Sequence, residues 1–438
     1  MQRIRTLIAS TLVLALLSLV GVLGANDSNA AVRSLQRNQK IKTPSSAPRS
    51  APIGRSASEV TATVVVSLPD ALRDFFSAHD AVGTVTLRTP SVRSSGEIVV
   101  VLLQRHQSPG TDADNAVNDV AAITQRELAA IMRDLVETYG ISNVLVEGQQ
   151  VGATHVARTE RALADVRREA AQLTALDATV RVMSASPAVP SALRAALTTS
   201  ADAFRADADR ALLLRGAAFS AYAQGTELAV MGAETPATYE QSAAIVVDYM
   251  HLTARLAELA SPAKRARQRI TRDNSSSGIA ALRGMMDAAF HAPASSREAV
   301  PQLPDVLQRI AAQTTDPQIR EHVRRAQDML AQYARRPANE RAASADTRRP
   351  SLARNPYARS SDARALTQRL DRVEVAMERT VVAQRNADAA TNFHAMLDAA
   401  DATVGMLQFG AGHEEGLVAE LLARGMIVLA VTPKSIAE

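Results

Sequence analysis

The chain lacks cysteine and tryptophan altogether, and aromatic residues make up only 3% of its 438 residues. Without cysteine it can form no disulfide, no thiolate metal ligand and no cysteine nucleophile. The few aromatic rings leave little surface on which bases or sugars could stack. A concentrated positive charge is also missing, because 49 basic residues against 45 acidic ones leave a net charge of only +4, and the arginines are scattered along the chain. We therefore expect no nucleic-acid partner.

Aliphatic side chains are abundant instead. Hydrophobic residues make up 47% of the chain, which is enough for one large domain or two ordinary ones. Since aromatic residues are so few, the sequence predicts a core of alanine, valine and leucine.

The N-terminal segment 1–30 resembles a secretory signal peptide. Two arginines within Met1–Arg5 precede the apolar run Thr6–Ala25, and small residues follow it. This pattern predicts export to the periplasm or the cell exterior, with cleavage after Ala30 as the first choice and after Ala25 as the second. The alternative is an uncleaved anchor, since the run is close to the length of a membrane span. No cysteine follows the run, so a lipoprotein anchor is excluded.

Segment 31–58, rich in serine, proline and arginine, is predicted to be a flexible tether. A change in composition follows it. Several β-branched or apolar runs bounded by Pro, Gly or Ser then predict strands: Glu59–Leu68, Gly83–Thr89, Glu97–Leu103, 141–148, Glu227–Pro236, Thr403–Phe409 and Met426–Thr432. The first two alternate and could form an antiparallel edge pair. Glu97–Leu103 is continuously apolar, as expected for a strand covered on both faces.

Helical periodicity separates these strands. Segment 115–139 has apolar residues at helical spacing and ends at Gly140, so 97–148 reads as a βαβ unit with parallel strands. A second helix, Glu414–Arg424, links the last two strands in the same way, and Gly425 ends it. Helices are also predicted over Thr154–Gln224, Thr238–Leu259 and Ala363–Ala400.

These elements predict an α/β fold with a mixed, mostly parallel central sheet, built from N- and C-terminal βαβ units around a large helical insertion. Residues 59–240 form the N-terminal part and 363–438 the C-terminal part. Between them, 241–334 is predicted to be a helical insertion or cap. Segment 335–362, rich in Arg, Pro and Ser, is predicted to be a loop or disordered.

Each of four predicted strands has a polar residue at or just after its end, and these four side chains could reach a common crevice. His106 follows the third strand, Glu147 and Glu234 end the next two, and His413 follows the strand before the last helix. In open α/β sheets, ligands bind beyond the carboxyl ends of the strands. Two histidines and two carboxylates there could bind a divalent metal ion or share acid and base roles.

Each of these residues also has a structural explanation. Glu147 could cap a turn before a glycine, and Glu234 could favour a helix N-terminus through its charge. His106 could be an ordinary loop histidine, and His413 could lie at the surface of a tight strand-to-helix turn. His413 is the better candidate, because Gly410 and Gly412 let the backbone approach a ligand.

Taken together, "IVVVLLQRHQSPG", "LVETYGISNVLVEG", "LAVMGAETPATYEQ", "VVAQRNADAATNF" and "LQFGAGHEEGLVAELLARGMIVLAVTP" resemble the TraB/PrgY and TIKI group of the erythromycin esterase-like and ChaN-like superfamily. That group gathers two G-x-x-H motifs, strand-terminal acids and a helical Arg followed by Asn or Asp at one site. The second G-x-x-H is intact as Gly410–His413. By position, the resemblance implies that Glu147 and Glu234 are the acids and that Arg385 and Asn386 are the helical pair.

The first motif departs from the group. Leu103 replaces the glycine, although His106 is in place. Gln104 occupies the position where many relatives carry a glutamate, and an amide can act neither as a general base nor as a charged metal ligand. This departure weakens the enzymatic interpretation more than the fold.

Two functions follow as expectations. The first is an exported hydrolase of peptide or ester bonds, acting on a peptide or small-molecule substrate, with His106, His413 and Glu147 binding Zn²⁺ or Mn²⁺ and with Glu147, Glu234 and Arg385 catalytic. The second is a non-catalytic envelope protein that binds a metal, haem or a small peptide on the same scaffold. A weaker third idea is an arginine-rich module for anionic polymers of the cell envelope.

Overall fold

The computed structural model describes residues 67–106, 117–259, 302–344 and 355–437. The predicted signal segment 1–30 and tether 31–58 lie outside these residues. Among the helices that are described, none is both long and apolar enough to cross a bilayer.

Six strands form one sheet: β1 Val82–Arg88, β2 Ile98–Gln104, β3 Asn143–Gln150, β4 Ala229–Glu234, β5 Val404–Gly410 and β6 Ile427–Pro433. Their order is β1-β6-β2-β5-β3-β4. β1 pairs antiparallel with β6, and every other neighbouring pair is parallel. The predicted mixed, mostly parallel α/β fold is confirmed.

The two ends of the chain interleave within this sheet, since β5 and β6 lie on either side of β2. β2 and β3 run parallel, as expected for the N-terminal βαβ unit, but β5 lies between them. Every residue of β2 is buried, which explains its continuous apolar sequence.

The described helices are α1 Leu68–Ala78, α2 Val117–Tyr139, α3 Ala153–Ala185, α4 Ser191–Leu213, α5 Ala217–Ala223, α6 Pro236–Leu259, α7 Leu303–Gln313, α8 Pro317–Ser344, α9 Ala363–Ala376, α10 Arg385–Ala400, α11 Glu414–Ala423 and α12 Lys434–Ala437. A π-helical segment, Met377–Gln384, joins α9 to α10, and a short 3₁₀ turn, Ala411–His413, joins β5 to α11.

Helices cover both faces of the sheet, and β2 alternates between them. Val100 and Leu102 belong to a core that includes Leu128 of α2. Val99 and Val101 belong to a second core, on the opposite face, with residues of α10 and α11. This three-layer packing leaves the strand ends as the place where side chains of several elements can meet.

The helical additions pack into two further clusters. One joins α3 and α4 to α7 and α8, and the other joins α6 to α9 and the π-helical segment. The predicted boundary between residues 240 and 241 therefore falls inside α6.

The strand predicted over 59–68 lies outside the described residues except at Ser67 and Leu68. The end of that prediction is wrong, because Leu68 already begins α1. Pro69 and the acidic Asp70 in the first helical turn are features of a helix start. β1 pairs antiparallel with β6, and the pairing predicted between β1 and the preceding run involves residues outside the described part of the chain.

The loop predicted over 335–362 is wrong for its first ten residues, because α8 continues to Ser344. Alanine, arginine and glutamate in that stretch are good helix formers.

Candidate functional site

Four neighbouring parallel strands deliver polar groups to one edge of the sheet. His106 lies two residues beyond β2, Glu147 lies within β3, Glu234 ends β4, and His413 follows β5 by a single 3₁₀ turn. Gly148, with a φ of +82°, interrupts the regular pairing of β3 with β4 directly after Glu147. A glycine adopts this conformation without strain.

Glu147 is the centre of the site. Its Oε2 lies 2.7 Å from Nε2 of His106 and accepts a 2.5 Å hydrogen bond from the backbone N–H of Gly410. Its Oε1 accepts a 2.7 Å bond from Nη2 of Arg385 and lies 3.8 Å from Nε2 of His413. The Glu147 side chain is only 5% exposed. One buried carboxylate therefore links both histidines and the arginine.

Arg385 occupies the space between the two acids. Its Nε donates to Oε2 of Glu234 at 3.0 Å, and its Nη2 donates to Oε1 of the same carboxylate at 2.6 Å. Glu234 is fully buried and also accepts the Gly148 backbone N–H at 2.7 Å. The sequence suggested that Arg385 would take part in catalysis. In the structure its Nε and Nη2 bind the protein's own glutamates.

The helix that carries Arg385 is irregular just before it. The π-helical segment Met377–Gln384 ends at the residue preceding Arg385. π-Helical turns are rare and often occur at functional sites, because the wider turn rotates the residues that follow. No feature of the sequence had suggested this irregularity.

The two histidines have opposite pKa shifts. Burial lowers the pKa of His106, but the negative charge of Glu147 and the hydrogen bond to it raise the pKa by more, so the pKa lies above the ordinary 6.5. For His413, burial and then the positive charges of Arg385 and His106 outweigh the attraction of Glu147, and the pKa falls to about 4. His413 is therefore neutral near pH 7, whereas His106 keeps its ring proton to higher pH than an ordinary histidine.

The carboxylate between them is ionised. Burial alone would raise the pKa of Glu147, but the charges of His106 and Arg385 hold it well below its ordinary value. Arg385 responds in the opposite direction: burial opposes its charge, yet Glu234 and Glu147 raise the pKa of the guanidinium. The network thus carries fixed charges inside the protein, each compensated by a partner.

Asn386 and Gly416 position His413. Nδ1 of His413 lies 2.8 Å from Oδ1 of Asn386. An amide oxygen can only accept, so Nδ1 carries the proton and Nε2 is the basic nitrogen. A Cβ at position 416 would lie 2.6 Å from Nδ2 of Asn386, so any larger residue there would force the Asn386 side chain to shift. Gly412 lies within the turn that precedes the histidine.

A buried cluster of three glutamines, Gln104, Gln125 and Gln408, lies beside His106. Nε2 of Gln125 donates to Oε1 of Gln104, Nε2 of Gln408 bonds the same oxygen, and Oε1 of Gln125 accepts the Ala217 N–H at 2.7 Å. With its oxygen held, Gln104 directs its Nε2 toward Oε2 of Glu147 (3.4 Å). The amide of Gln104 thus belongs to a fixed network, and no pattern in the sequence indicated that Gln125 or Gln408 would join it.

A small cavity opens beside these side chains. Its volume is about 60 Å³, and its walls include Gln104, His106, Glu147, Gly216 and Phe219. This volume accommodates a few water molecules rather than a drug-sized ligand. The His106 side chain is 33% exposed, so a reactant in the cavity can reach it.

The fit of a shared metal ion is poor. Within the described residues, the group of three potential ligands whose atoms all lie within 4.8 Å of one another is elsewhere in the fold and includes neither His106 nor His413. Both oxygens of Glu147 are also already bonded, and the guanidinium of Arg385 occupies the position of a cation between Glu147 and Glu234. A metal at this site stays a prediction from the sequence, and no step proposed below depends on it.

The site therefore has two histidines of different basicity on one buried, ionised glutamate, with a second glutamate neutralised by arginine. Comparison of the chain with models of protein families, with curated proteins and with solved structures finds no match in any of the three.

Proposed function

We propose that this chain is a hydrolase of peptide or ester bonds in which His106 is the proton-transfer residue. The observation that carries the proposal is the 2.7 Å contact between Nε2 of His106 and Oε2 of Glu147, on the wall of a cavity large enough for water. A histidine oriented by a buried carboxylate is a common arrangement for activating water or a nucleophile.

The hydrogen bonds indicate which nitrogen acts. Glu147 is ionised and can only accept hydrogen bonds. Nε2 of His106 therefore carries a proton and donates a hydrogen bond to Oε2 of Glu147. In the neutral ring Nδ1 is then the free base. It would take a proton from a water molecule in the cavity as that water attacks the carbonyl carbon, and Glu147 would stabilise the imidazolium that forms. A positioned base of this kind contributes about 10²–10⁴-fold to the rate.

The rest of the network supports this role. Arg385 and the Gly410 N–H keep Glu147 ionised and fixed, so that the carboxylate orients His106 without taking its proton. His413, neutral near pH 7, presents Nε2 as a second acceptor 3.8 Å from Glu147. That nitrogen carries no proton and can only accept a hydrogen bond from a donor group. The imidazolium of His106 would return its Nδ1 proton to the leaving group as the carbonyl C–N or C–O bond breaks.

The resemblance to the TraB/PrgY and TIKI group supports peptide and ester bonds as the substrate classes, and the signal-like segment 1–30 supports action outside the cytoplasm. Both remain proposals.

The test is hydrolysis of a panel of peptides and esters by the purified chain and by His106→Gln. The matched control is His79→Gln, because His79 also pairs with a carboxylate, Asp134, at 3.1 Å but lies on the α1 side of the fold. We expect His106→Gln to lose about 10²-fold or more in rate and His79→Gln to retain it. Assays with and without a chelator test the metal-dependent form separately.

Equal rates for His106→Gln and the unchanged chain would refute the assignment. Loss of activity on chelation, with recovery on adding Zn²⁺ or Mn²⁺, would favour the metal-dependent form that the sequence suggested.

A non-catalytic binding protein is the second candidate, and two observations favour it. The acids are already neutralised by the protein's own Arg385, as in a structural network, and the cavity is small. This candidate predicts that a small polar ligand raises the melting temperature of the chain without being converted, and that His106→Gln abolishes the shift.

A further inference from the structure

A second cluster of titratable side chains lies at the opposite edge of the sheet. Glu97 directly precedes β2, whereas the candidate site lies beyond the end of that strand. His394 and Asp398 are one turn apart on α10 and reach the same place. One ligand atom from each of the three residues lies within 4.8 Å of the other two. Neither the proposed hydrolysis nor the resemblance uses this cluster.

Glu97 is the fixed and incompletely bonded member of the cluster. Its backbone is held at both ends, since its N–H donates to Oγ of Ser95 (3.2 Å) and its carbonyl accepts the N–H of Ile427 (2.9 Å). The residue is only 8% exposed, and Oε2 is buried with no hydrogen-bond partner among the described residues. An unpaired buried carboxylate oxygen is costly, and a bound cation would satisfy it.

The other two members face solvent. Oε1 of Glu97 lies 2.6 Å from Nδ1 of His394, and Nε2 of His394 lies 3.5 Å from Oδ2 of Asp398. The side chains of His394 and Asp398 are 53% and 69% exposed. An ion can therefore enter from solvent, and the helical side chains have the freedom to adjust to it.

The donor set selects the type of ion. Mg²⁺ and Ca²⁺ prefer oxygen ligands alone, whereas an imidazole with two carboxylates suits Zn²⁺ and related transition metals. Bonds of about 2.0–2.2 Å to nitrogen and oxygen require adjustments that an exposed histidine and aspartate can make, and three protein ligands leave a position for water.

We propose that Glu97, His394 and Asp398 form a binding site for a divalent transition-metal ion, represented by Zn²⁺. The ion would tie the exposed face of α10 to the start of β2. Because α10 begins with Arg385 and Asn386, an occupied site would also stabilise the helix that presents these residues to the candidate site.

The experiment is titration of the untagged full chain with Zn²⁺ by isothermal calorimetry. Loss of a residue that merely orients a ligand costs about 10–100-fold in metal affinity. Removing a direct ligand should cost no less, so His394→Ala and Asp398→Asn should each weaken binding by at least tenfold. The matched controls are His322→Ala, a partly exposed helical histidine, and Asp401→Asn, three residues beyond Asp398, and both should bind as the unchanged chain does.

A second readout separates this site from the candidate hydrolytic site. Zn²⁺ should raise the melting temperature of the unchanged chain and of His413→Ala, but not that of His394→Ala. Circular dichroism checks that each variant folds, which the exposure of His394 and Asp398 favours. Equal affinity in His394→Ala and the unchanged chain would overturn the proposal, and so would a loss confined to His413→Ala, since the ion would then bind at the other site.

Discussion

Replacing Arg385 by methionine tests the charge network most directly. Methionine has a similar length and fills the space but carries no charge, so the two bonds to Glu234 and the one to Glu147 are lost together. Glu147 keeps His106 and the Gly410 N–H as partners. Glu234, which is fully buried, keeps the Gly148 N–H. The main cost is therefore an uncompensated charge on Glu234.

Removing one partner of a buried ion pair costs about 3–5 kcal/mol, a large part of the stability of a typical protein. We expect this loss in the free energy of unfolding of Arg385→Met at about pH 7, from urea unfolding followed by circular dichroism. Arg168→Met is the matched control, because Arg168 pairs with Asp165 at the surface and an exposed pair contributes about 0–1 kcal/mol. Arg385→Lys should recover only part of the loss, since an ammonium group cannot bond both acids in the same fork geometry.

The stability difference between the unchanged chain and Arg385→Met should also depend on pH. In the unchanged chain the pKa of Glu147 is depressed, so its contribution to stability is present above about pH 4.5 and is lost as the pH falls through the lower folded value. Without Arg385 the carboxylates bind protons more readily, and protonation relieves the uncompensated charge. The difference in stability between the two proteins should therefore shrink from about pH 7 to about pH 4.5. A difference that is no larger than that of Arg168→Met, or that does not change with pH, would refute the reasoning.

Three further predictions concern the same network. If His106 is the general base, the hydrolysis rate should rise with pH through a pKa above 6.5. Glu147→Gln should move the midpoint of this rise to lower pH, because the charge that raises the pKa of His106 is gone. An unchanged midpoint would contradict the pairing of His106 with Glu147. Gly416→Ala should displace Asn386 and weaken its bond to His413, since the added Cβ would lie 2.6 Å from Nδ2 of Asn386. Proton NMR of the His413 ring should show the change. Adding Asn386→Ala to this variant should relieve the accompanying loss of stability. Gln104→Glu should place a second negative charge beside Glu147, and it should destabilise the chain more as the pH rises above the range in which carboxylates titrate, as unfolding at several pH values would show. Equal destabilisation at all pH values would argue against repulsion.

The sequence predicted the fold well where a strong local pattern coincided with burial. β2 was recognisable because all of its residues are buried between two helical layers, which requires an unbroken apolar run. Its neighbours in the sheet were not recognisable, since the pairing of β2 with β5 and β6 depends on contacts between segments about 300 residues apart. The start of α1 is hard to predict for another reason: the β-branched run that ends near Leu68 favours a strand, whereas Ser67 and Pro69 favour a helix start.

The candidate site was predictable to the extent that parallel strands place their carboxyl ends at one edge. That rule, applied to His106, Glu147, Glu234 and His413, anticipates four groups that the structure brings together. It does not indicate what lies between them, and Arg385 proves to be the partner of both acids rather than a group left free for a substrate.

The glutamine cluster shows why the remainder could not be anticipated. Gln125 lies on α2 and Gln408 lies in a buried strand, where the periodicity of each segment assigns a position to the core without saying which polar group it meets. A buried amide is tolerated only if its donors and acceptors find partners, and here three amides and the backbone of α5 supply them for one another. The orientation of Gln104 therefore depends on residues that are distant in sequence. Because Gln104 contacts Glu147 and His106, the surroundings of these two side chains depend on the same residues. A substitution at Gln125 should therefore alter the site without touching either of them.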